Sequence, residues 1–249
     1  MIETPWIDYA QPNGEAALRL VCLPHAGGGA GSFREWVSGL APEFEVLPVQ
    51  LPGRETRFFE RPFTTMQTLQ AALLEALRPY LDKPFAVLGH SLGALIAFEW
   101  VRRLQAHGFS PVHLFVSGYG APHLPGKLAP INHLADEQFV AVLRDLNTMP
   151  TAVLENKELL ALLLPLLRAD FAIYEQYQFQ AGDPLDCPIT VLGGKTDALV
   201  PPEMLTPWLK HSAQPGEVHL FEGGHFYLYE APTAVWQLIR QVCLVKQAS

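Results

Sequence analysis

A mostly parallel sheet flanked by helices, an α/β fold, is predicted by two patterns in the chain. Short apolar runs recur between longer helix-like segments, and glycine-rich turns follow several of those runs. The runs are 18–23, 44–49, 85–88, 112–117, 189–192 and 218–221. Most positions in each are apolar, as expected of a parallel sheet covered on both faces. Helices are expected at 33–40, 65–81, 92–107, 202–210 and 233–245. Pro201-Pro202 suits the start of the fourth, because proline in the first helical turn loses no intrahelical bond.

One interval breaks the alternation. The stretch between the strand ending at 117 and the one beginning at 189 is far longer than a crossover needs. It carries two helical patterns, 136–143 and 158–164, the second continuing through Leu166, Leu167, Phe171, Ile173 and Tyr174. We expect a single domain over 1–249 with a helical lid inserted at 122–182 above an apolar pocket. The competing expectation is that these helices extend the core.

The composition suits a compact globular protein: 49% of the 249 residues are hydrophobic and only 17% charged. A formal charge of −8, with no block of Lys or Arg, argues against nucleic acid as a partner. The first residues show no basic start and no long apolar stretch, and the apolar patch 159–167 is interrupted by Pro165, so neither a secretory signal nor a membrane span is expected. Cys22, Cys187 and Cys243 are widely spaced among apolar residues, which reads as burial in a reducing compartment and not as a disulfide or metal framework. A monomeric cytoplasmic protein without metal or cofactor is therefore expected. The clustered cations Arg54, Arg57 and Arg61, with Arg34 earlier in the chain, are either a solvated loop or a docking patch for an acidic partner.

The chemistry centres on Gly89-His90-Ser91-Leu92-Gly93, between the run 85–88 and a helix-like segment. A serine on such a strand-to-helix turn is the nucleophile elbow of α/β-hydrolases. Serine needs a base, and the base needs an orienting group, in the chain order Ser, Asp, His. Asp197 follows the run 189–192 in Gly193-Gly194-Lys195-Thr196-Asp197, and His225 follows the run 218–221 in Glu222-Gly223-Gly224-His225. Both sit past the carboxyl ends of expected strands, where open α/β sheets place their sites. Backbone donors for an oxyanion are expected from Leu92 and from Ala26, with Gly27 as the alternative, in the loop His25-Ala26-Gly27-Gly28-Gly29. That loop lacks the Lys-Ser/Thr ending of a phosphate-binding loop.

With these pieces assembled the chain resembles the type II thioesterases that accompany nonribosomal peptide and polyketide synthases. The resemblance covers nearly the whole length. It rests on Leu23-Pro24-His25-Ala26-Gly27-Gly28, Leu51-Pro52-Gly53-Arg54-Glu55, the elbow, Leu167-Arg168-Ala169-Asp170, the Asp197 turn and Gly223-Gly224-His225-Phe226. It implies an α/β-hydrolase fold, Ser91, Asp197 and His225 as a triad, and an oxyanion hole from Ala26 and Leu92. It also implies a substrate that is an acyl thioester on the phosphopantetheine arm of a carrier protein, removed to clear stalled or misprimed synthases. On that reading Phe139, Leu160, Leu164, Phe171 and Tyr174 would form a short acyl tunnel, and Arg54, Arg57 and Arg61 a carrier-docking face. A free-standing small-molecule esterase or lipase, a terminal thioesterase, and an inactive binding protein of the same fold are the alternatives.

Overall fold

The computed structural model describes residues 4–126, 128–146, 153 and 155–244. Six strands, β1 (Leu18–Leu23), β2 (Phe44–Pro48), β3 (Phe85–His90), β4 (His113–Ser117), β5 (Ile189–Gly194) and β6 (Glu217–Phe221), form one sheet. Their order is β2-β1-β3-β4-β5-β6, and every pairing is parallel. Successive side chains of β1 divide between two cores. Val21 and Leu23 face α2 (Met66–Leu77) and α3 (Leu92–Ala106), whereas Leu18, Leu20 and Cys22 face α1 (Arg34–Gly39) and the C-terminal helix at Pro232–Leu244. Only β6 is partly exposed, and its edge carries Glu217 and His219. Charge at an open strand edge discourages pairing with another chain.

The order places the site. The chain runs outward from β1 to β2, then returns to lay β3 against β1 with Leu23 opposite Gly89. The loops leaving these two neighbouring strands therefore open a crevice at their carboxyl ends, the usual ligand position in such sheets.

Between β4 and β5 lie α4 (Asp136–Asp145) and α5 (Lys157–Gln176), with a small core of their own formed by Ile131, Phe139, Leu143, Leu167 and Phe171. Asn156 caps α5 by accepting from the Leu159 N–H. Pro165 sits inside this helix, close to where it changes from exposed to buried. Arg168 and Glu175 tie the buried half to the preceding loop: Arg168 donates to the carbonyls of Asn132 and Leu134, and Glu175 accepts from the N–H groups of Ile131 and Asn132.

The helix expected at 202–210 is instead two short 3-10 turns, Pro202–Met204 and Thr206–His211. Pro207 has no N–H to donate, and its ring would clash with the preceding turn of an α-helix. Two helices close the described chain, α6 (Tyr227–Glu230) and α7 (Pro232–Leu244). The sequence pattern did not disclose α6. Among the described residues no helix is long and apolar enough to cross a membrane. Cys22, Cys187 and Cys243 are all buried, and burial holds the Cys22 thiol well above its ordinary range and pushes Cys187 up to about 12.

Candidate active site

Ser91 stands between β3 and α3 with φ 55° and ψ −123°, a conformation that non-glycine residues adopt only where the surroundings impose it. Its N–H donates to the Ser117 carbonyl at 2.7 Å, which fixes the turn to the end of β4. The two glycines of the elbow permit the crossing. A β-carbon at Gly89 would overlap the Gly93 carbonyl, and one at Gly93 would overlap the Leu23 carbonyl.

Asp197 and His225 leave neighbouring strands, and their turns are sewn together. Lys195 N–H donates to the Phe221 carbonyl at 2.8 Å and Thr196 N–H to the Gly223 carbonyl at 3.0 Å. The Asp197 carboxylate is buried; Oδ1 accepts from the N–H groups of Leu199 (2.9 Å) and Val200 (3.1 Å), leaving Oδ2 for His225 Nδ1 at 2.7 Å. His225 Nε2 lies 3.0 Å from Ser91 Oγ. Those partners assign the tautomer: Nδ1 carries the proton and donates to Asp197, and Nε2 accepts from the serine. Serine, imidazole and carboxylate thus form one line that can remove the hydroxyl proton and stabilise the resulting imidazolium.

Two further imidazoles crowd this line, and neither is a competing base. His90 is fully buried 5.1 Å, ring to ring, from His225. Its Nδ1 is 2.9 Å from Ser117 Oγ, which in turn is 2.6 Å from the Tyr227 hydroxyl. Burial first, then the neighbouring His225 and His25, hold it well below the ordinary histidine range. His25 meets the Tyr229 hydroxyl at 3.1 Å and is pushed down to about 3, chiefly by burial and then by His225 and Arg54. Sequence alone offered no role for either Tyr227 or Tyr229, because both follow His225 on α6, which carries no periodic signal.

Ser91 and His225 open onto a cavity of about 340 Å³ whose walls include Ala26, Leu92, Leu124, Leu167, Phe171 and Tyr174. Ala26 and Leu92 thus both border the space in front of the serine. The Leu92 N–H lies in the first turn of α3, whose amides have no partner within the helix. The Gly27 N–H donates to Asp170 Oδ2 at 2.7 Å and the Gly28 N–H to the His25 carbonyl at 3.0 Å. Gly27 is therefore engaged elsewhere, and of the two donors weighed for this loop Ala26 is the one left for an oxyanion.

Two expectations need correction. Of the residues assigned to an acyl tunnel, Phe171 and Tyr174 line the cavity, whereas Phe139 packs behind Phe171 at a ring distance of 5.4 Å. Leu160 and Leu164 continue the same stripe along α5 but lie beyond the cavity walls. The arginines do not share a surface. Arg54 is 4% exposed and pairs with Asp170; Arg57 is 7% exposed, donates to Glu60 and the Gln50 carbonyl, and stacks on Trp6. Only Arg61 faces solvent, so a docking face built from all three is excluded. Charges on Arg54 and Arg57 are answered inside the protein, and desolvation leaves them nothing to offer a partner.

Comparison with known proteins places these features. A family model described as Thioesterase domain matches residues 18–243. The gramicidin S biosynthesis protein GrsT of Aneurinibacillus migulanus is 43% identical over 239 residues, covering 96% of this chain and 92% of that protein. The structure of BorB, a type II thioesterase from the borrelidin biosynthetic cluster, superposes with a TM-score of 0.88 at 37% identity over 97% of this chain and 99% of BorB. That of YbtT, a type II thioesterase from the yersiniabactin NRPS/PKS pathway, gives 0.82 at 31% identity over 93% and 95%.

Proposed function

This chain belongs to the thioesterase family and has the α/β-hydrolase fold, and from that premise we propose that it hydrolyses acyl thioesters carried on the phosphopantetheine arm of a synthase carrier protein. The observation that carries the reading is the Ser91–His225–Asp197 line opening onto an apolar cavity.

In the proposed mechanism Ser91 Oγ attacks the thioester carbonyl while its proton passes to His225 Nε2. Asp197 holds the imidazole through Nδ1 and stabilises its positive charge. The N–H groups of Ala26 and Leu92 receive the oxyanion, and collapse of the tetrahedral species expels the thiolate, which takes the proton from His225. Water then repeats the sequence on the acyl-serine, releasing the acid and freeing Ser91. A thiol has a pKa of about 8.5, so the leaving group departs with little assistance. Leu124, Leu167, Phe171 and Tyr174 would receive the acyl chain, under a lid formed by the helices between β4 and β5. No resident cofactor takes part, since the pantetheine arm arrives with the substrate.

The names of the relatives support an editing role beside an assembly-line synthase. A panel of acyl groups loaded on a carrier domain tests it, run beside acyl-coenzyme A, nitrophenyl esters and the Ser91→Ala protein. Preference for carrier-bound thioesters is expected, and preference for free esters would overturn the carrier assignment in favour of a small-molecule esterase.

A further inference from the structure

Two of the motifs in this chain, Pro52-Gly53-Arg54 and Arg168-Ala169-Asp170, contribute nothing to the line of serine, imidazole and carboxylate. The fold brings them together across 116 residues of sequence. Arg54 Nη2 donates to Asp170 Oδ1 at 2.9 Å and Arg54 Nη1 to Asp170 Oδ2 at 3.0 Å, a two-pronged pair with side chains 4% and 2% exposed. Both partners also grip the loop behind β1. Asp170 Oδ2 accepts the Gly27 N–H at 2.7 Å, and Arg54 Nη1 donates to the Gly28 carbonyl at 2.9 Å. Gln50 completes the frame, accepting from the Ala30 N–H at 2.7 Å and donating to the Arg54 carbonyl at 2.6 Å.

The same helix that supplies Asp170 also presses on the glycine. Gly27 has φ +77°, and a β-carbon there would lie 2.8 Å from Leu167 Cδ2, one turn before Asp170 on α5. One face of α5 therefore holds Gly27 by contact and by charge, immediately beside the peptide N–H of Ala26.

We propose that the buried Arg54–Asp170 pair positions the Ala26 N–H for the oxyanion, so that the hole is assembled only when α5 is seated on the loop. Arg54 and Asp170 are positioning residues that act through the loop backbone. The inference rests on the thioesterase reading above, in which that N–H receives the oxyanion. Displacement of a catalytic donor by about an ångström is enough to cost roughly a hundredfold in rate. A ground-state thioester makes weaker demands on the same donor, so the loss falls on kcat and not on KM.

The test compares the wild-type protein with Asp170→Asn, Arg54→Met and the double variant Arg54→Met/Asp170→Leu on an acyl thioester. Each single variant leaves one charge buried and uncompensated and lowers the melting temperature; the apolar double variant recovers much of it. Positioning predicts that kcat in the double variant stays about 10- to 100-fold down, with KM within about twofold of wild type. Affinity for an alkyl boronic acid, which forms a tetrahedral adduct on Ser91, should fall in parallel, while affinity for a non-hydrolysable thioether analogue holds. Recovery of kcat together with melting temperature, or unchanged boronate affinity, would show the pair to be structural only. Failure of the wild-type protein to hydrolyse any thioester would count against the function, and the boronate comparison would still decide the role of the pair.

Discussion

The two halves of the site are built in different ways. Ser91, Asp197 and His225 stand on turns that leave β3, β5 and β6, each clamped to a neighbouring turn by backbone hydrogen bonds within the sheet layer. The Ala26 loop also leaves a strand, β1, but what holds its glycines is a side-chain pair reaching in from α5 and from the segment after β2. In the proposed mechanism proton transfer is thus anchored in the sheet, whereas oxyanion binding depends on how a helix outside the sheet is placed. Perturbing the first half should remove chemistry with little change in the backbone. Perturbing the second should leave the proton relay intact and misplace a donor.

The largest effect should come from Ser91→Ala, which removes the nucleophile: kcat is expected to fall by at least ~10⁴-fold, with substrate affinity kept, as single-turnover assays and binding of a thioether analogue would report. Asp197→Asn follows. The amide cannot hold the proton on Nδ1 in the same tautomer, and a loss of about 10⁴-fold in kcat is expected with an unchanged circular dichroism spectrum. A drop in melting temperature as large as that of the arginine variants would break the contrast between the halves. Gly27→Ala tests the other side. It combines a strained φ with a contact on Leu167, and about 10- to 100-fold of kcat should go while Asp197 and His225 remain in place.

The smallest effect is on stability. His25 and His90 are buried and held neutral, so the unfolded chain binds more protons than the native one as pH falls below about 6.5. Stability contributed by their neutral forms is present above that pH and lost progressively below it. Between pH 7 and 5.5 the melting temperature should therefore fall. His90→Gln should flatten that slope, and an equally steep slope in the variant would assign the loss to other groups.

Much of this arrangement is legible in the sequence. The strands leave short, mostly apolar runs, and the turns carrying Ser91, Asp197 and His225 follow three of them directly, so their order can be read along the chain. The Arg54–Asp170 pair was not legible, although both motifs stood out. Arg54 lies near Arg57 and Arg61 in a segment that reads as a charged surface, and nothing local indicates that a carboxylate 116 residues away buries it. The acyl wall was overextended for a related reason. Helical spacing groups Leu160, Leu164, Leu167, Phe171 and Tyr174 on one face, but only tertiary packing decides how far along that face the cavity reaches. The segment 202–210 differs from the expected helix because Pro207 falls inside the pattern, where a continuous α-helix does not accommodate it.

The buried cysteines give the molecule a practical property. With Cys22, Cys187 and Cys243 all shielded and at least two of the thiols reluctant to ionise, a maleimide dye has little to attack on the native surface. A single cysteine placed at Phe59, which is 98% exposed on the segment following Arg54, would therefore accept one fluorophore at a known address. Such a probe would let binding of the proposed carrier partner be watched in real time without stripping the native thiols from the core.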